Sequence, residues 1–148
     1  MRAIVQQTGR LLVLSLGPGE MLLESIVAAS RRHRIANGVV VSGIGTLKNC
    51  HLHAITGTGF PPKNRNFARK KPLELVSLSG IIADYEPHLH TVISWLDRQT
   101  WCGHLHEESE IAYLAEVAIL ALRGPRMKRR VDPELELSLL GRAQIGRY

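Results

Sequence analysis

Apolar and polar positions change their spacing several times along the chain, and each change marks an element. Arg10 to Leu16 is a short apolar run that reads as a strand, closed by a turn at Gly17-Pro18-Gly19. Glu20 is expected in the first turn of a helix, where the dipole favours a carboxylate. Leu22, Leu23, Ile26, Val27 and Ser30 then recur at helical spacing through about Arg34. Arg31, Arg32, His33 and Arg34 read as a solvated cationic end of that helix. Asn37-Gly38 ends it. Val39 to Ile44 predicts a buried strand, and Leu47 to Thr56 and Leu73 to Leu78 predict two more. His88 to Leu96 and Thr100 to Leu105 read as strands around a turn at Asp97-Arg98. Gly57 to Lys71 and Arg123 to Arg130 read as loops, and Leu135 to Leu140 as a last short strand. Ile111 to Leu122 is apolar enough for either element, and Ala115, Glu116 and Ala118 lean towards helix by propensity. One principal helix against many strands predicts an α+β fold.

Length and composition narrow this further. The 148 residues fit one domain, 1–148, and 45% apolar content is enough to build a core without a staple. Two cysteines, Cys50 and Cys102, do not make a disulfide scaffold and point to a reducing, cytoplasmic setting. Gly17-Pro18-Gly19 interrupts the first apolar run, which argues against a signal peptide, and no stretch suits a membrane helix. The net charge of +6 allows a polyanionic partner. Ser42-Gly43-Ile44-Gly45 has Lys48 where a phosphate loop would have its third glycine, so these glycines read as strand geometry.

The chemistry-bearing residues are histidines. Strand side chains alternate, so His88 and His90 share one face of their strand, and His104 and His106 share one face of the next. Loop parity decides whether the two sets meet. A three-residue connection, Leu96 to Arg98, would pair Thr91 with Gly103 and set His90 opposite His104. A two-residue connection would put them on opposite faces. Opposed Cβ atoms lie about 4.5–5.5 Å apart, within reach of one ion at about 2.0–2.1 Å from each nitrogen. His88 can supply a third ligand, with His106 competing for that place. Three histidines with an open fourth position suit zinc, and also copper, nickel or iron. In the rival group Cys50, His51 and His53, Cys50 points away from the two histidines, so it reads as a polar strand face.

Several segments together resemble the plants-and-prokaryotes-conserved (PPC) domain family. They are Gly19-Glu20-Met21-Leu22-Leu23-Glu24-Ser25-Ile26, Val41-Ser42-Gly43-Ile44-Gly45-Thr46-Leu47, Leu73-Glu74-Leu75-Val76-Ser77-Leu78-Ser79-Gly80, His88-Leu89-His90, Cys102-Gly103-His104-Leu105 and Ala115-Glu116-Val117. The resemblance implies a mainly antiparallel sheet, a homotrimer, and a metal on His88, His90 and His104, for which the three-histidine donor set makes zinc the first expectation. It implies a strand for Ile111 to Leu122, and it sets aside Cys50, His51, His53 and His106, which match no family motif. Glu74 and Glu116 match motif positions on apolar strands. They are expected to orient histidine nitrogens or to lie in an ion pair or trimer contact. Cys102 and Glu108 stand where the family has glycine. Glu107, Glu108 and Glu110 then form an acidic segment read first as a solvated turn, and second as a source of a ligand or proton-transfer group.

Members of this family are often described as DNA-binding, and plant members carry an AT-hook for it. Arg123-Gly124-Pro125-Arg126 has the wrong order for that hook. The remaining cations for phosphate contact are Lys63, Arg65, Arg69, Lys70, Lys71, Arg129 and Arg130. Aromatic residues are 5% of the chain, too few for a base-stacking platform. Three roles follow: a metal-binding homotrimer with a DNA-associated or regulatory role, a metal-dependent enzyme or small-molecule binder, and an assembly module.

Overall fold

The computed structural model describes residues 3–96 and 98–143. In chain order the elements are β1 (Gln7–Leu16), α1 (Leu22–Arg32), β2 (Asn37–Leu47), β3 (Cys50–Ile55), β4 (Asn64–Arg69), β5 (Leu73–Ala83), β6 (Glu86–Trp95), β7 (Gln99–Leu105), β8 (Ile111–Arg123), β9 (Met127–Asp132) and β10 (Leu137–Arg142). Eight strands form one sheet in the order β1-β8-β2-β5-β6-β7-β3-β4, and β9 and β10 form a separate hairpin. Every neighbouring pair in the large sheet is antiparallel. The mainly antiparallel α+β architecture with one helix is thus observed.

The alternation of the strands sorts the sheet into two faces. One carries Leu75, Leu78, Leu89, Ile93, Leu105 and Val117, all buried, and α1 adds Leu22 and Ile26 to the same core. The helix begins one residue after Met21, so Glu20 lies before it, and its carboxylate accepts the Gly17 N–H at 2.6 Å. Glu20 therefore closes the turn, and Glu24 occupies the first helical turn instead. No helix among the described residues is long and apolar enough to cross a membrane.

The ambiguous segment Ile111 to Leu122 is strand β8. It is hydrogen-bonded on both edges, to β1 and to β2, and buries Ala115, Val117 and Ile119 in alternation. Pairing on two sides outweighs the helix preference of alanine and glutamate. Two expected loops also hold strands. Within 57–71, β4 pairs with β3 at the end of the sheet; it buries Phe67 partly and leaves Asn64, Arg65 and Asn66 exposed, as suits an edge. Within 123–130, the chain enters β9. Asn37 ties this entry down: its side chain donates to the Pro125 carbonyl at 3.0 Å and accepts the Met127 N–H at 3.0 Å.

The second face of the sheet is open. Leu11, Leu120, Val39, Ile81 and His88 are successive cross-strand partners across it. Leu11, Val13, Ile44 and Val76 are half or more exposed.

Candidate metal centre

Two strands set the first requirement. β6 ends at Trp95 and β7 begins at Gln99, leaving three connecting residues, 96–98. Asp97, the expected centre of this turn, lies outside the described residues. The register is the odd-loop one: Trp95 pairs with Gln99, Thr91 with Gly103, and His90 with His104. Gly80 sets the other side of β6. Its φ is +153°, and a Cβ there would stand 2.0 Å from the His88 carbonyl oxygen. Glycine alone lets β5 approach β6 this closely.

The ligating nitrogens of His88, His90 and His104 all lie within 4.8 Å of one another. The Nε2 atoms of His88 and His90 are 3.3 Å apart. Two nitrogens each about 2.0–2.1 Å from one tetrahedral ion stand about 3.3 Å apart, so this pair already has the span of one edge of a metal site. The rings of His90 and His104 meet edge-on at 5.5 Å, and those of His88 and His104 at 4.7 Å. Burial, then the neighbouring imidazoles, push His104 down to about 4. His88 is lowered by burial first, then by the charge of Arg129 and of the other histidines. Neutral imidazole is the form a metal takes. The donor set fits a borderline transition ion such as zinc, since it is all nitrogen and contains no carboxylate.

Histidines that match no family motif surround this trio. β3 lies beside β7 with His53 opposite His104, and the two rings stack at 4.6 Å. His53 Nδ1 is 2.7 Å from His106 Nε2, so one of the two carries the shared proton. Burial, then His106 and His90, lower the pKa of His53. Gly103 permits the contact: a Cβ there would lie 2.5 Å from the His53 carbonyl oxygen. The alternation of His51 and His53 was visible in the sequence; the strand they face was not. Cys50 is fully buried on the opposite face, and burial pushes its thiol up to about 11. His51 Nδ1 lies 3.8 Å from a Glu108 carboxylate oxygen.

The acidic segment stays at the rim. Glu107 and Glu108 are exposed, and Glu110 pairs with Lys48 at 3.0 Å. Glu108 has φ +63°, a left-handed conformation that glycine adopts without strain. Its main-chain N–H donates to Glu24 at 2.8 Å. Glu74 lies opposite Ser94 and Thr46, and Glu116 opposite Ser15 and Ile44. Both are exposed, and within this chain neither is placed to orient an imidazole.

Beside the histidines, a cavity of about 380 Å³ is lined by His53, His90, Ser77, Ser79, Ile55 and Cys102, among others.

A model of the Plants and Prokaryotes Conserved (PCC) domain matches residues 4–123. The chain belongs to that family. The PCC chain is similar to a plant- and prokaryote-conserved protein from Pyrococcus horikoshii, at 26% identity and a TM-score of 0.80, covering 98% of this chain and 100% of that one. It is similar to the metal-containing protein AF0104 from Archaeoglobus fulgidus, at 25% identity and a TM-score of 0.79, covering 94% and 98%. A candidate DNA-binding protein from Bacteroides thetaiotaomicron shares the fold at 19% identity and a TM-score of 0.75, covering 92% and 96%. The bifunctional protein GlmU from Synechococcus sp. strain JA-2-3B'a(2-13) is 29% identical over 120 residues, 81% of this chain and 18% of that relative. The chain thus spans about a fifth of the length of the curated relatives it matches.

The cations of the PCC chain fall into different settings. Arg69 lies over Phe67 and Trp101 at 4.9 and 4.7 Å, and Lys71 over Trp95 at 4.0 Å, where they cover the aromatic end of the core. Arg129 is half-buried and bonded to backbone carbonyls. Lys63, Arg65 and Lys70, on or beside the edge strand β4, and Arg130, on the hairpin, are exposed.

Proposed function

We propose that this chain binds one divalent transition-metal ion, zinc in the first instance, through His88, His90 and His104, and works as a homotrimer in a reducing cytoplasmic compartment. The observation that carries the metal reading is the 3.3 Å span between His88 Nε2 and His90 Nε2, with His104 completing the set. Three protein ligands would leave room for water or a small ligand, and an ion held there would supply Lewis acidity. The metal-containing Archaeoglobus relative supports the same reading.

The exposed apolar residues of the open face, Leu11, Val13, Ile44 and Val76, support self-association. In this reading Glu74 and Glu116, on the open face, belong to the contact between copies. The two free cysteines agree with a reducing compartment. The chain itself, residues 1–148, acts as one unit of the trimer.

A small-molecule or catalytic role is the second reading, favoured by the cavity that reaches His90 and His53. A DNA-associated or regulatory role rests on exposed Lys63, Arg65, Lys70 and Arg130, through phosphate contacts without base reading.

Metal analysis of the purified protein beside its His90→Ala and His104→Ala variants tests the centre. Near-stoichiometric metal in the parent and its loss in both variants is expected; unchanged content overturns the reading. A mobility-shift series in salt tests the DNA role, and absence of any shift at low salt ends it.

A further inference from the structure

We infer that Arg129 and the three-histidine centre together form a binding site for a small oxyanion of the carboxylate or phosphate class, which bridges the guanidinium and the bound metal. The inference rests on the metal reading above.

The placement is built from β6, which carries His88, and from β5 beside it. Arg129 Nη1 donates to the Glu86 carbonyl at 3.0 Å, and Nη2 donates to the Ile81 carbonyl at 3.1 Å. Ile81 is the direct cross-strand partner of His88, and Glu86 lies two residues before His88 on β6. The guanidinium is therefore pinned across the β5–β6 step beside His88.

The support of Arg129 is equally fixed. Asp84 accepts hydrogen bonds from Arg126 and holds Lys128 at 3.4 Å, while Asn37 bonds to Pro125 and Met127. These contacts clamp the start of β9 onto the sheet. The hairpin lies beyond residues 4–123, so the guanidinium comes from a segment outside the matched PCC region. A cation positioned in advance loses little entropy on binding an anion.

The charge count points the same way. The carbonyls that hold Arg129 are neutral, and among the described residues no carboxylate forms an ion pair with it. Glu86 favours the charged guanidinium, but burial is the larger influence. A divalent ion on three neutral imidazoles beside this guanidinium would concentrate positive charge without an acidic ligand. An oxyanion balances that charge, and the planar fork of arginine suits its geometry better than the point charge of a lysine.

The test loads the purified protein with cobalt(II), whose visible spectrum reports its coordination, and titrates inorganic phosphate and acetate separately. Saturable spectral change with at least one anion is expected. Arg129→Gln should weaken that binding by about tenfold or more, the loss of a charge-assisted hydrogen bond, while cobalt is bound as well or more tightly. Arg129→Lys keeps the charge without the fork and should lie between the two; it also serves if Arg129→Gln does not fold. Cobalt bound without response to either anion, or equal anion affinity in parent and variants, overturns this inference alone. Failure to bind cobalt overturns the metal reading and this inference with it.

Discussion

His53 lies directly opposite His104 across the β3–β7 ladder, and the two imidazoles stack at 4.6 Å although 51 positions separate them in the chain. The stack presses His104 from its side, and His106 holds the outer ring at 2.7 Å. His53 is thus placed to fix the orientation of His104 within the proposed metal centre, without belonging to its three-histidine set.

Removing this support should weaken the centre and leave its stoichiometry intact. His53→Ala is expected to lower zinc affinity by about tenfold, the usual cost of losing a partner that orients a ligand. Competition against a chelator of known affinity measures it. Loss of stoichiometric binding would make His53 a ligand instead, and unchanged affinity would show that the stack does not matter.

Gly80 gives the second prediction. A methyl group there would stand 2.0 Å from the His88 carbonyl oxygen, and φ of +153° is strained for any other residue. Gly80→Ala should cost about 2–4 kcal/mol and reduce metal binding, since it separates the strand that carries His88 and His90. Denaturant unfolding reads the first effect and metal analysis the second. A variant as stable as the parent would contradict the packing described here.

The two cysteines should behave differently. Cys102 is exposed and Cys50 is fully buried with its pKa raised from 9.0 to about 11. At about pH 8 a thiol reagent should modify Cys102 in the native protein and Cys50 only after unfolding. The raised value also fixes the sign of a pH effect. Below about 9 the thiol is neutral in both states. Between 9 and 11 the unfolded chain loses a proton that the folded chain keeps, so stability falls as pH rises through this window. Equal reaction of both thiols in native protein would refute the burial.

Ile44 tests the open face. It is half exposed, on β2 opposite Glu116 on β8. Ile44→Asp leaves the buried core alone but puts charge into the apolar patch, so it should shift the proposed trimer towards single chains in light scattering. A parent that already runs as a single chain would sink the trimer proposal.

Much of the centre was legible along the chain because it is local. His88, His90 and His104 belong to one hairpin, and strand alternation with an odd three-residue connection leaves them no choice of face. The helix at Leu22–Arg32 was legible for the same reason, from its apolar spacing. What lay hidden depends on partners distant in sequence. β8 is a strand because β1 and β2 both hydrogen-bond to it, against its own propensity. β4 and β9 became strands because an edge and a hairpin were available to satisfy their backbones.

The same limit explains the surroundings of the three histidines. Periodicity set which face of its own strand His53 occupies, but it carries no information about which strand lies alongside, so only the folded sheet could stack His53 on His104. Arg129 read as a free cation of a basic loop. The tertiary fold alone pinned it to the carbonyls of Ile81 and Glu86 beside His88, because that position is fixed by the docking of a hairpin onto a sheet and not by any local pattern.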